Sequence, residues 1–416
     1  MKVLIKQAVI HKVSGHAGEK GSLSINNGVI ESIGEVTQAD YDQVIDEDGL
    51  HVSAGWFDPF VNFCEPGNEY KEDLTSGIEA AKAGGFTTVG LLPHTDPIID
   101  NRPQLDFLTR TQASSGIQLL VGPSFVKASS TSELSEILEL NEAGAFAFNA
   151  PAQANLANSV VLKAMEYSKV TCKKIVLSST DHTLIPGAFM HEGRVNVTIG
   201  LRGIPAFSEE LRVKAYIELL RYTGASLHLS GITAAQSLHL IENAKKEGLQ
   251  LSCDTTVYHL LYNDEDIKTF NTNFKLSSPL RSETDRKALV EAVNSGLIDV
   301  VTSYHQPHDE DVKKTEIRMA EPGVIGIQTL FPLLQRAIGL EKAVHTLAHS
   351  NAKAFGLKNN GIEAGQKANL TLFFPDKKWK LNNTTNKSKS INTMVWEQEL
   401  TGSAWATMVG NKINKV

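Results

Sequence analysis

The sequence is poor in cysteine, has no excess of basic charge and contains no long apolar run. Its three cysteines, Cys64, Cys172 and Cys253, are scattered and odd in number. That argues against a disulfide framework and points to a reducing cytoplasm. Lys and Arg together number 40 against 47 Asp and Glu, a net charge of −7, so neither nucleic acid nor an anionic membrane is an expected main partner. The opening "MKVLIKQAVIHK" is interrupted by Lys6 and is too short to read as a signal peptide. No later segment reaches the ~18 apolar residues of a membrane span. Internal repeats and low-complexity tracts are absent too.

What is present describes a globular protein. With 416 residues, 41% of them hydrophobic and 21% charged, the chain can bury a sizeable core in one large domain plus a smaller one. Short apolar runs alternate with helix-length segments: Trp56–Phe63, Phe86–Leu92, Ile117–Ser124, Ala145–Asn149, Lys174–Ser179, Ser226–Gly231, Leu249–Thr256 and Asp299–Tyr304. Eight such runs predict an α/β fold of eight parallel strands closed into a (β/α)8 TIM barrel. After "EPGNEYKED", Leu74, Ile78, Ala81 and Ala83 fall at helical spacing, and Gly84-Gly85 ends that helix before "FTTVGLL". Residues 1–52 and 361–416 instead read as short strands separated by turns. Both ends therefore predict one small composite β-sandwich, with domain limits at 1–52 plus 356–416 and at 53–355 for the barrel. The polar "KKWKLNNTTNKSKS", Lys377–Ser390, reads as an exposed loop.

A barrel of this kind carries its chemistry at the C-terminal ends of its strands. Read in order, those ends and the loops after them give "EPGNEYKED", "AAKAGGFTTV", "LPHTDP", "HEGRVNVTIGLRGIP", "SSPLRSETDRKAL", "GLIDVVTSYHQPH" and "NAKAFGL". Together these closely resemble the dihydroorotases of the amidohydrolase superfamily, in particular the long, type I-like enzymes related to allantoinase and dihydropyrimidinase. The resemblance runs over about residues 1–375 with the motifs in the same order. It implies a metal-dependent (β/α)8 barrel with a composite β-sandwich, zinc as cofactor, and hydrolysis of a cyclic amide, dihydroorotate to carbamoyl aspartate, in pyrimidine biosynthesis.

Carried over position by position, the resemblance implies a degenerate metal site. The family's first strand ends Asp-x-His-x-His-x-Arg-Glu-Pro-Gly, and here the run is Asp58, Phe60, Asn62, Cys64, Glu65, Pro66 and Gly67. Both zinc-binding His and the carboxylate-holding Arg are replaced. At the fourth strand "FNAPA" places Ala150 and Pro151 where the family has aspartates, and at the fifth "SSTD" places Ser178 at the ligand. In "HLSGIT" His228 persists while Gly231 replaces a ligand His, and in "YHQPH" Tyr304 replaces the water-activating Asp while His305 and His308 remain. Among substrate contacts, His94 and Ser277 replace asparagines, "VYHL" keeps His259, and His308 is the clearest survivor.

Zinc hydrolysis needs about three good N, O or S ligands and a water whose pKa falls from ~15.7 toward ~7. Phe60, Asn62, Ala150, Pro151, Ser178, Gly231 and Tyr304 do not offer them. We therefore expect no bound metal, no confident catalytic residue, and no ancestral hydrolase activity. His94, His228, His259, His305 and His308 are read as relics satisfied by hydrogen bonds rather than as a rearranged ligand set with Cys64 or Asp58. Asp58 and Glu65 are read as bonding loop backbone or Lys71 rather than as an acid/base pair, and Cys64 as an inert buried thiol. Family analogy makes a scaffold or regulatory partner of aspartate transcarbamoylase the leading expectation, and a homo-oligomer is left open. The alternatives are a cyclic amidohydrolase with altered or absent metal, resting on Asp58, His94, Asp181, His228, His305 and His308 around the mouth, and a small-molecule binding module in the old pocket.

Overall fold

The architecture, seen in a computed structural model that describes residues 1–12, 18–34, 40–151, 155–358 and 361–416, is built in two parts. The first part gathers strands from both ends of the chain into one eight-stranded sheet. Its N-terminal members are β1 (Lys2–His11), β2 (Glu19–Asn26), β3 (Val29–Gly34), β4 (Gln43–Ile45) and β5 (His51–Ala54). The second part opens with β6 (Trp56–Val61), β7 (Phe86–Leu91) and β8 (Gln118–Val121), which pair in parallel. Then come β9 (Phe148–Asn149), β10 (Ile175–Ser178), the short pair β11 (Met190–His191) and β12 (Gly203–Ile204), and β13 (Leu227–Ser230), β14 (Leu251–Thr256) and β15 (Val300–Thr302). The chain returns to the first sheet through β16 (Asn369–Lys380), β17 (Glu399–Val409) and β18 (Lys412–Lys415).

Strands β6-β7-β8 and β9-β10-β13-β14-β15 form two parallel arcs, and two isolated bridges join their edges. Ser124 pairs in parallel with Asn149 on one side and Val61 with His305 on the other, so the arcs close into a (β/α)8 barrel. The eight strands fall within the eight runs predicted from sequence. Strand β6 is buried along its whole length, the continuous apolar reading expected of a strand covered on both faces. Its helix, Leu74–Ala83, starts where the Asp73 side chain accepts from Ser76 N at 2.7 Å and Ser76 Oγ accepts from Asp73 N at 3.2 Å. Gly85, at φ +88°, follows. A Cβ there would lie 2.8 Å from the Trp56 ring and 2.9 Å from Thr371, so only glycine lets β7 begin so close to the outer sheet.

The terminal sheet runs β18-β17-β16-β5-β1-β2-β3, with β4 pairing β1 alongside β5. It wraps its own core of Val3, Ile5, Leu23, Ile25, Val52, Leu370 and Leu372. Aromatic contacts weld it to the strand starts of the barrel: the Trp56 ring lies 4.6 Å from Phe331 and 5.2 Å from Phe373. Active-site chemistry in a barrel belongs at the opposite end, the strand ends.

The segment read as an exposed loop, Lys377–Ser390, is mostly exposed or half-buried, with only Leu381 and Ser390 buried, and departs from expectation at its start. Residues through Lys380 continue β16, because Lys378, Trp379 and Lys380 pair with Thr401, Leu400 and Glu399. The rest, up to about Trp396, crosses to the barrel mouth and docks there. Ser390, Asn392 and Thr393 are buried, and Asn392 accepts from His308 N at 3.1 Å and donates to Gln306 O and Gly323 O, each at 3.1 Å. Asn392, just past the segment read as a loop, thus satisfies barrel backbone rather than water.

Candidate functional site at the barrel mouth

The residues at the ends of β6 and β15 are locked to one another. Asp58, fully buried, accepts from Thr302 Oγ1 at 2.5 Å, Ser303 Oγ at 2.5 Å, Ser303 N at 3.0 Å and Phe60 N at 3.3 Å. Burial pushes its carboxyl above the usual range, against the pull of these donors. Thr302 Oγ1 also accepts from Tyr304 N at 3.0 Å, and the turn this makes holds Tyr304 at φ +44°, a conformation costly for a bulky side chain. Asp58 is thus a staple between the first and last barrel strands, with no bond to Lys71.

Phe60 points into the barrel axis. Its ring centroid lies 5.4 Å from His228, 5.7 Å from Phe355 and 6.3 Å from Tyr304, in a cluster completed by Phe57, Leu92, Phe146 and Val176. His228 sits beneath this plug, fully buried, with Nδ1 2.8 Å from Ser252 Oγ and Nε2 2.9 Å from Asp254 Oδ2. Lys174 Nζ donates to the same Ser252 Oγ at 2.6 Å, so the serine hydroxyl donates to Nδ1 and the proton of His228 is on Nε2, toward Asp254. Burial lowers the pKa of His228 and holds it neutral. Asp254 also accepts from Gly231 N at 3.0 Å. Gly231 has φ +76°, and a Cβ there would lie 2.6 Å from Ser278 Oγ, so a side chain at this turn would be strained.

The other sequence-derived candidates divide between cavity wall and scaffold. Asn62 accepts from Cys64 N at 2.9 Å and donates to His94 O at 3.2 Å, shaping the turn after β6. Cys64 is buried at φ +60°, and burial pushes its thiol up to about 12. Glu65 accepts from Leu74 N at 2.8 Å, at the start of the helix. His305 accepts from Gly326 N at 3.0 Å through Nδ1, leaving its Nε2 3.5 Å from Glu72 Oε2. His308 Nε2 donates to Pro322 O at 3.0 Å, and burial lowers its pKa to about 4. Asp181 accepts from Thr183 and lies 3.7 Å from Arg212, which lines a side recess.

A cavity of two adjoining lobes does open at the strand ends, and Ser178, Ser230, Ser277, Tyr304 and Gln306 line both. Gly231 and His259 line one lobe, and Phe60, His94, Ala150 and Pro151 the other. Asp58, Asn62, Cys64, His228, His305 and His308 line neither. His259 is held by Thr256 Oγ1 at 2.8 Å and by Ser278 O at 3.0 Å, and burial lowers its pKa to about 4. Burial does the same to His94, and pushes the Tyr304 phenol above its usual value, so it offers no base near neutral pH. Among the described residues, no three His, Cys, Asp or Glu side chains come together in a way that could hold a metal ion.

Sequence reasoning missed Asp254, Ser252, Phe355 and Asn392, which hold these residues in place. Asp254 had a signal, a lone carboxylate inside the otherwise uncharged strand "LSCDTT". Asn392 had none, since its partners lie 69 to 86 residues away.

Comparison with known proteins bears on what this architecture is. A family model described as dihydro-orotase-like matches residues 52–237. The dihydroorotase of Bacillus subtilis (strain 168) is 33% identical over 420 residues, covering 99% of this chain and 98% of that protein. That of Aquifex aeolicus (strain VF5) is 31% identical over 419 residues, covering 99% of each. Among solved structures, the L-hydantoinase (dihydropyrimidinase) from Arthrobacter aurescens superimposes with a TM-score of 0.85 at 19% identity, over 99% of this chain and 95% of that one. Dihydropyrimidinase from Brevibacillus agri NCHU1002 gives 0.83 at 17% identity, over 99% and 95%. The structural matches speak for the barrel fold, and the sequence matches, spanning both chains nearly end to end, place this chain in the dihydroorotase family.

Proposed function

We propose that this chain is a dihydroorotase homologue of pyrimidine biosynthesis that does not hydrolyse dihydroorotate and serves instead as a structural or regulatory partner of aspartate transcarbamoylase. The observation that carries the first half is the donor set at the strand ends. The zinc implied by family membership would need ligands from positions that hold a phenyl ring, an amide, a methyl, a proline ring, a hydroxyl, a glycine and a phenol whose proton is held tightly. These do not fit the ion. Without it, no group among the described residues lining the cavity supplies the polarised carbonyl and activated water that a cyclic amide requires near pH 7.

The surviving histidines do not restore that chemistry. His228 spends both ring nitrogens on Ser252 and Asp254, and His259 spends both on Thr256 and Ser278. The second half of the proposal rests on family analogy and on what is kept: the loop Pro322–Gly326 over the barrel mouth and the terminal sheet remain while the metal positions differ. Such a partner interface would bury roughly 1,200–2,000 Å².

The test is co-purification from native extract, with dihydroorotate turnover and zinc content measured on the same preparation. Co-elution with aspartate transcarbamoylase, sub-stoichiometric zinc and no turnover are expected. Stoichiometric zinc accompanied by turnover overturns the first half. A chain that elutes alone, and whose deletion leaves transcarbamoylase assembly and activity unchanged, overturns the second.

A further inference from the structure

The outer wall of the barrel carries an apolar line that its own fold does not use. Helix Ala206–Thr223 turns Val213, Ile217 and Leu220 inward, where they are buried. A surface helix normally sets polar residues on the opposite side. Here that side reads Phe207, Leu211, Lys214, Glu218 and Tyr222, at i, i+4, i+7, i+11 and i+15, so the five follow one another up a single face. Phe207 is 52% exposed, Leu211 57% and Tyr222 78%, and Lys214 and Glu218 are exposed as well. Large apolar side chains grouped on a surface mark a place where another surface settles.

The order along the line points to the occupant. It runs apolar, apolar, basic, acidic, apolar, and it complements its own reverse. Two copies of the helix meeting antiparallel about a two-fold axis near Lys214 and Ala215 would set Phe207 and Leu211 opposite the partner's Tyr222. The same register sets Lys214 opposite the partner's Glu218. Each contact then occurs twice, the isologous arrangement of a two-fold dimer. Arg221 holds Glu218 at 2.7 Å and Glu247 at 2.8 Å, which pins the acidic end of the line before any partner arrives. The neighbouring helix Asn158–Thr171 lies alongside, with Met165 Sδ 3.9 Å from Thr223 Oγ1, and exposes Tyr167 and Val170 at the same end of the barrel as Tyr222. A specific dimer buries roughly 1,200–2,000 Å² in total, an area toward which this second helix extends the face.

We propose that this chain pairs with a second copy of itself through the outer face of helix Ala206–Thr223. The copies run antiparallel about a two-fold axis, Lys214 bonds to the partner's Glu218, and Tyr222 packs on the partner's Phe207 and Leu211. The pairing is independent of the scaffold reading and uses no residue of the barrel mouth.

The test is analytical ultracentrifugation of the full chain from about 1 to 100 µM, where a dimer is expected. Leu211→Glu, which buries a carboxylate in the apolar part of the face, should raise the dissociation constant at least about tenfold. Lys214→Glu, which turns the attraction to the partner's Glu218 into repulsion, should do the same. Combining Lys214→Glu with Glu218→Lys reverses the pair and should recover most of the lost affinity. All three positions are exposed, so the unfolding temperature measured at a dilution where every variant is monomeric should match that of the unaltered chain. Three results overturn the proposal: a chain still monomeric at about 100 µM, whose apolar line then serves some other protein; a dimer that neither Leu211→Glu nor Lys214→Glu weakens; or a double reversal that dissociates as readily as Lys214→Glu alone.

Discussion

Single residues decide what the barrel mouth can do, and Phe60 decides most. Its ring is part of the packed barrel axis, so replacing it with a ligand changes a core position and restores no site. The double change Phe60→His and Asn62→His is accordingly expected to give no zinc-dependent turnover of dihydroorotate, since Ala150, Pro151, Ser178, Gly231 and Tyr304 are still unsuited to the ion. A steady-state assay with added zinc checks this, and activity above background would contradict it. The thiols make a second test. Cys64 and Cys253 are buried with their pKa values raised by burial, whereas Cys172 is exposed. Iodoacetamide at neutral pH should modify Cys172 alone in the native protein, and all three after denaturation, as read by peptide mass spectrometry. The buried, inert Cys64 was legible in the sequence because it sits inside a local motif. The bond from His228 to Asp254 was not, because it joins neighbouring strands whose register no local pattern reveals. The plug contributed by Phe355 was equally hidden, since it reaches the barrel axis from beyond the last strand.

At the level of elements, the crosspiece between β16 and β17, residues 381–396, is the part whose docking on the mouth the sequence did not show. Its polar composition reads as solvent-facing, and Asn383, Thr384, Lys387 and Lys389 are exposed, yet Ser390 and Asn392 meet backbone carbonyls and amides of the mouth. Glu72 gathers Ser76 and Ser388 through their hydroxyls and Lys389 through its backbone N–H, tying the loop after β6 to the same segment. Asn392→Ala removes one acceptor and two donations from buried groups and is expected to cost about 3 kcal/mol. Hydrogen exchange should then quicken together in residues 320–326 and 386–396, while the strands of the terminal sheet keep their protection. Faster exchange spread evenly over the molecule would mean that the crosspiece is not a local unit. The barrel strands were legible because short apolar runs bounded by turns are a strong signal. Their limits were less so: within Ala145–Asn149 only Phe148 and Asn149 pair as strand, the preceding residues being buried by side-chain packing.

For the whole molecule, buried histidines set the response to acid. His259 and His308 are neutral in the fold, with pKa values lowered to about 4 by burial, against ~6.5 in the unfolded chain. Between those values the unfolded state binds the extra protons, so stability is full above about pH 6.5 and falls as the pH drops toward 4, by up to ~1.4 kcal/mol per pH unit for each group. Denaturant titrations across that range should show the loss, and His259→Gln should flatten the slope while lowering stability at pH 7; an unchanged slope would assign the acid response elsewhere. No helix among the described residues is long and apolar enough to cross a membrane. The two-part build was legible because both ends of the chain share a strand-and-turn pattern, but the pairing of β5 with β16 was not, since register across so long an interval leaves no local trace. That pairing has a consequence for synthesis. Val52 and Leu372 are neighbours across two strands separated by the entire barrel, so the edge of β5 waits unpaired while some 300 residues are translated, roughly 15–60 s at ~5–20 residues per second. During that interval a β-rich edge beside an apolar face is open to other nascent chains. A ribosome stalled before Asn369 should therefore yield material captured by chaperones or lost to aggregation, even though every barrel strand has already emerged.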